Sequence, residues 1–131
     1  MARSKRGATY DEYRQMALAF PGVEEGTSFG TPAFKVRGKF ISRLREDDVL
    51  VLKPVYDDEQ QFLMGTQPEA FFLTDHYRGY TAILVRLSKV DPAELRRLVE
   101  QAWRELAPKK LVAEYDGGPA PAAPRPTRRR R

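Results

Sequence analysis

The chain has no cysteine, one histidine (His76) and one tryptophan (Trp103) among its 131 residues. The missing cysteine excludes a disulfide framework, a thiolate zinc site, an iron–sulfur cluster and a cysteine nucleophile. A lone histidine leaves only carboxylates and water to complete a transition-metal site, and no acidic cluster follows calcium-loop spacing, so neither metal nor cofactor is expected. Long apolar runs are missing too. No stretch reaches the roughly 18 apolar residues of a membrane span, and the basic N-terminus leads into no apolar signal core, which predicts a cytoplasmic protein with no membrane association.

What is present is 41% hydrophobic and 31% charged residues, enough for one small domain that folds alone, read here as a monomer. The formal charge of +5 is concentrated at the ends. Arg3, Lys5 and Arg6 supply three positive charges, and Arg125 with Arg128 to Arg131 supply five against Asp116, which leaves residues 8–115 at net −2. Three segments follow: a basic disordered N-terminus over 1–8, a single domain over 9–115 and a disordered proline- and arginine-rich tail over 116–131. Prolines keep that tail extended, and its arginines attract phosphates or acidic surfaces without base specificity.

Thr9 and Glu12 form a capping-box pair, and Tyr10, Tyr13, Ala17 and Phe20 recur on one face, predicting a first helix that ends at Pro21-Gly22. Asp91, Pro92 and Glu94 open a last helix, with Leu95, Leu98, Val99, Ala102, Trp103 and Leu106 at core spacing and Pro108 as its stop. Between them, β-like runs at Val23 to Ser28, Ala33 to Val36, Phe40 to Leu44 and Val49 to Lys53 form an antiparallel meander. A short helix is expected at Asp58 to Met64 with Gly65 as its stop, then strands at Phe71 to Thr74 and Tyr80 to Leu87 around a loop containing Gly79. The order α, β-meander, α, β-hairpin, α predicts an α+β fold, with helices on one face of an antiparallel sheet and solvent on the other. Alternation places Phe34, Val36, Phe40, Leu44, Leu50 and Leu52 inward, and Lys35, Arg37, Ile41, Arg43, Val51, Lys53, Leu84 and Arg86 outward.

Pro21 to Val36 (PGVEEGTSFGTPAFKV), then Lys39, then Thr74 to Tyr80 (TDHYRGY), with Trp103 and the Ala107-Pro108-Lys109-Lys110-Leu111 ending, resemble the MmcQ/YjbR family of small bacterial proteins. The resemblance covers about residues 9–112. It implies an α+β fold of the kind compared with secretion chaperones and frataxin, and a DNA-binding label that rests on structural comparison with winged DNA-binding arrangements. Where many relatives have a His-Trp pair, this chain has His76-Tyr77.

Lys35, Arg37, Lys39, Arg43, Lys53 and Arg86 are candidates for an outward basic patch that tracks a phosphate backbone, with Tyr77 and Tyr80 as stacking planes. The same cations also fit a solvated face that discourages edge pairing. Asp75 to Tyr80 adds His76 and Arg78, a mixture suited to an anion or nucleotide, or else a packed loop. Asp75 and His76 are neighbours that point apart in an extended segment, and Ser28 or Ser42 would have to be brought in by the fold to complete a triad, so a non-enzymatic protein is expected. The expected function is DNA binding through the sheet face, the His76 loop and Arg128, Arg129, Arg130 and Arg131. The alternatives are a protein-interaction or chaperone-like module using exposed Ile41, Val51 and Leu84, and a small-molecule or anion site around His76 and Tyr80.

Overall fold

The computed structural model describes residues 7–28, 30–46 and 48–117. Helix α1 (Tyr10–Leu18) starts where the sequence places it: the Thr9 hydroxyl accepts from the Glu12 N–H at 3.0 Å, and Glu12 accepts from the Thr9 N–H at 2.9 Å. Strands β1 (Val23–Ser28), β2 (Thr31–Val36), β3 (Lys39–Glu46) and β4 (Val49–Leu52) follow, then α2 (Asp57–Thr66), β5 (Phe71–Phe72), a 3₁₀ turn at Asp75–Tyr77, β6 (Ile83–Arg86), α3 (Pro92–Leu106) and α4 (Lys109–Gly117). The fold is α+β, as expected.

Several boundaries move for local reasons. The chain joins the fold before Thr9, because the Ala8 N–H donates to the Leu87 carbonyl at 2.6 Å. Gly7 has φ 84°, and a Cβ there would overlap the Ser88 carbonyl, so these two residues belong to the packed body and not to a disordered end. Helix α2 runs through Gly65 and ends at Gln67 (φ −140°, ψ 61°), since a residue before proline is driven out of the helical region. Asp91 caps α3 by accepting from the Ala93 N–H at 3.0 Å, while Glu94 holds Arg97 at 2.6 Å. Pro108 does end α3, but it also opens α4, which carries Asp116 onto Arg104 at 2.6 Å instead of leaving it in the tail. The remaining tail, 118–131, lies outside the described residues, as do residues 1–6.

All six strands are antiparallel neighbours in the order β1-β2-β3-β4-β6-β5. The main core forms where α1, α2, α3 and Leu111 of α4 cover one sheet face, with Tyr13, Leu63, Leu98 and Trp103 meeting Phe34, Leu50, Leu52 and Ile83. The Trp103 indole N–H donates to the Pro21 carbonyl at 2.8 Å, joining α3 to the end of α1. Tyr13 and Ser42 share a buried hydroxyl–hydroxyl hydrogen bond, and burial pushes the Tyr13 phenol well above its ordinary pKa, so it stays protonated.

Two bulges interrupt β3, between its pairings with Phe34 and Lys35 and between Leu44 and Glu46. The first reverses the expected facing of two residues. Lys35 pairs with Phe40 and Phe34 pairs with Ser42, so Ile41 is the extra residue and turns into the main core, while Phe40 faces the other side. Strict alternation had Phe40 inward and Ile41 outward, and the inserted residue inverts both.

Candidate functional site

The sheet face without helices is not a uniform basic surface. Cross-strand pairing lays Ala33, Arg43, Val51, Leu84 and Phe72 in one row over five strands, because directly paired residues project to the same side. Val49, Val51, Ala82 and Leu84 form a second, smaller buried cluster with Phe72 and Tyr77 packed against it. Val51 and Leu84 do point away from the main core, but they are covered; with Ile41 in the main core, none of the three apolar residues expected to be exposed for protein docking is exposed.

Packed against them are Phe72 of β5 and Tyr77 of the segment from Thr74 to Tyr80. Its 3₁₀ turn is built by the Tyr77 N–H on Thr74 O (3.0 Å) and the Arg78 N–H on Asp75 O (3.3 Å), and Tyr80 closes on Tyr77 O at 3.0 Å. Asp75 and His76 therefore lie in a turn, not in an extended run. Gln60 of α2 fixes the return of this loop: its buried side-chain amide donates to Val55 O (2.9 Å), Tyr80 O (2.7 Å) and Ala82 O (3.0 Å). With these carbonyls occupied by a side chain, β6 starts at Ile83 and not at Tyr80.

The loop rings form a cluster. His76 meets Tyr77 edge-on with centroids 4.8 Å apart and lies 5.7 Å from Tyr80 at an interplanar angle of 37°, while Tyr77 and Tyr80 are edge-on at 5.7 Å. Between these rings and Ser28 at the end of β1 is a cleft of about 350 Å³. Its floor is Phe40, Val51 and Ala82, and Arg43 and Lys53 reach into it from β3 and the end of β4. Arg43 donates to the Thr31 hydroxyl on β2 and to the Tyr77 hydroxyl of the loop, both at 3.4 Å. No carboxylate is among the described residues that line it.

Of the candidate site residues, the fold brings together Arg43, Lys53, His76, Tyr77 and Tyr80 and separates the rest. Lys35 pairs with Glu24 on β1, beside a smaller hollow of about 110 Å³ that also includes Glu25. Lys39 pairs with Val36, a core residue, and so projects on the helix side. Arg37 occupies the β2–β3 turn at φ 50°, near Gly22 and likewise away from the cleft. Arg86 lies 4.0 Å above the Phe72 ring and donates to Glu69 O, and Arg78 pairs with exposed Asp75 at 2.9 Å. Arg128 to Arg131 fall outside the described residues. The basic patch is thus two cations in one cleft instead of six on a face; Phe40 and Gln60 are contributors that the sequence did not single out, and Ser28, considered only as a triad partner, lines the cleft as well. The adjacent apolar pair Phe40-Ile41 was the available signal, because two such neighbours in a strand either expose one ring or require a bulge.

Ser28 shares the cleft with His76, whereas Ser42 is bonded to Tyr13 on the other side of the sheet and Asp75 is paired with Arg78. Among the described residues no group of three or more histidine and acidic side chains is placed to hold a metal, and no helix is long and apolar enough to cross a membrane.

Residues 18–105, from the end of α1 through nearly all of α3, match the family model YjbR. Two uncharacterized proteins, one from Mycobacterium bovis and one from Mycobacterium tuberculosis, are each 39% identical to this chain over 62 residues. The aligned part is 47% of this chain and 48% of each relative, so the chain spans about half the length of the curated relatives it matches. The matched family span contains the whole sheet, the Gln60 clamp and the 74–80 loop, and on that span the chain belongs to the YjbR family.

Proposed function

We propose that this protein binds DNA without catalysing a reaction on it, holding the strand at the cleft between Arg43, Lys53 and the His76 loop, with the C-terminal arginines adding sequence-independent attraction. The observation that carries this reading is the composition of the cleft: two cations, an apolar floor and clustered rings, with no carboxylate among the described residues that line it. Cations beside aromatic planes suit a ligand that is both anionic and aromatic, and a nucleotide is the common biological case. A negatively charged domain with a basic tail does not support a broad electrostatic footprint, so the contribution of the body of the protein is local.

The test is binding of short DNA by fluorescence anisotropy across a salt series, using the full chain, the Arg43→Ala/Lys53→Ala variant and a variant with Arg128 to Arg131 changed to glutamine. Losing two phosphate contacts in the cleft should weaken binding and reduce the slope of log affinity against log salt by about 1.5. Unchanged binding by the cleft variant, together with complete loss in the tail variant, would remove the cleft from the function.

A further inference from the structure

We infer that the cleft takes an unpaired base, so that the protein prefers single-stranded DNA to duplex; this deepens the nucleic-acid reading above and rests on it.

Arg43 and Lys53 line one cleft with Phe40 and Val51 of the sheet and with the His76, Tyr77 and Tyr80 rings of the loop. A duplex is convex, with its bases stacked inward and paired, so it offers a cleft only its backbone and groove edges. A volume of about 350 Å³ is at the small end of ligand sites and suits one base with its adjoining phosphate, not a groove-width element. Placing a paired base there would require it to be unstacked and flipped, a cost that single-stranded DNA largely avoids.

The rings are also arranged for this use. Tyr80 is 50% exposed although it follows the Gly79 turn into a buried strand, and its backbone carbonyl is held by Gln60, so the ring is displayed from a fixed support. His76 lies at 37° to it, closer to parallel than to edge-on, and Phe40 forms part of the opposing floor. A base entering the cleft meets π-faces that accept any base, while Arg43 and Lys53 line the same cleft as partners for the phosphate.

Strand preference separates the domain from its tail. Polyarginine attraction follows charge density, which is higher on duplex, so tail-driven binding predicts duplex at least as tight as single strand. A preference for the single strand is therefore a readout that the tail cannot imitate.

The experiment compares a single-stranded oligonucleotide, the matching duplex and a free mononucleotide against the full-length wild type, Tyr80→Ala and Tyr80→Phe. The expected result is single-strand binding at least about ten-fold tighter than duplex, lost in Tyr80→Ala, kept in Tyr80→Phe, with duplex binding the same in all three. Equal affinity for both strands, or an equal fall for both in Tyr80→Ala, overturns the inference and leaves DNA binding standing. A mononucleotide bound as tightly as the oligonucleotide, with the same Tyr80 dependence, overturns the polymer in favour of a free nucleotide. No binding to any of the three overturns this inference and the proposed function together.

Discussion

The two faces of the sheet use the same residue types for opposite purposes. On the helical side the arginines are matched to acids: Arg14 to Glu25, Arg96 and Arg104 to Glu100, Arg97 to Glu59 and Glu94, and Arg104 again to Asp116. The rings there are buried against one another, as in the Phe20–Trp103 pair at 5.4 Å. On the other side Arg43 donates to the Thr31 and Tyr77 hydroxyls among its contacts, no acid is among the described residues that line the cleft around Lys53, and Tyr80 is half exposed. Charge matched within the protein contributes to shape; Lys53, with no acid among the described residues that line its cleft, is a cation placed for an anion from outside.

The comparison can be broken most decisively at the bulge. Ile41→Ala should cost about 2–5 kcal/mol in urea denaturation, because it hollows the main core. Phe40→Ala should cost about 1 kcal/mol or less while weakening DNA binding. Equal costs for the two would contradict the assignment of Phe40 and Ile41 to opposite faces.

A middle-sized effect is expected at Gln60, which serves the open face from the helical layer. Gln60→Leu leaves three carbonyls without their donor and should destabilise the protein by roughly 1–3 kcal/mol. Because the clamp holds Tyr80, binding should also fall at denaturant-free conditions where the variant is fully folded; folded Gln60→Leu with wild-type affinity would show that the loop keeps its shape unaided.

The smallest effect concerns a matched pair on the helical side. The Arg104 guanidinium beside Asp116 holds that carboxyl below its ordinary range. A depressed carboxylate pKa contributes stability at neutral pH that disappears only as pH falls through the lowered value. Acid titration followed by circular dichroism should therefore show Asp116→Asn slightly less stable than wild type at neutral pH, with the two curves converging at the acid end. Both groups are exposed, so a large gap would mean that α4 depends on this pair more than its packing suggests.

Local chemistry was the legible part of this fold. Thr9, Asp91 and Pro108 announce their helix ends because caps and prolines act within a few residues, and period-two runs announce strands. The facing of Phe40 and Ile41 was hidden, since an inserted residue is decided by pairing with β2 and not by β3 itself. Helix α4 was hidden by its brevity and by a lysine pair that resembles the start of a tail, although Leu111 and Asp116 both find partners on the folded body. The site was half legible for the same reason. The His76 loop could be recognised by its mixture of residues, but which of six distant cations would stand beside it depended on cross-strand register.

Strand β1, six residues long, forms one margin of the sheet, with Glu24 beside Lys35 on the open face and Glu25 held by Arg14 on the helical face. An open edge of that length is a template for self-addition, and a second copy adding there in antiparallel fashion would bring like charges into opposition. Gly26 beside them lowers the strand propensity of the same stretch. Glu24, the acid beside Lys35, thus acts as a gatekeeper against fibre-like growth, and a protein made less acidic at this position to improve its hold on DNA would lose colloidal stability in return.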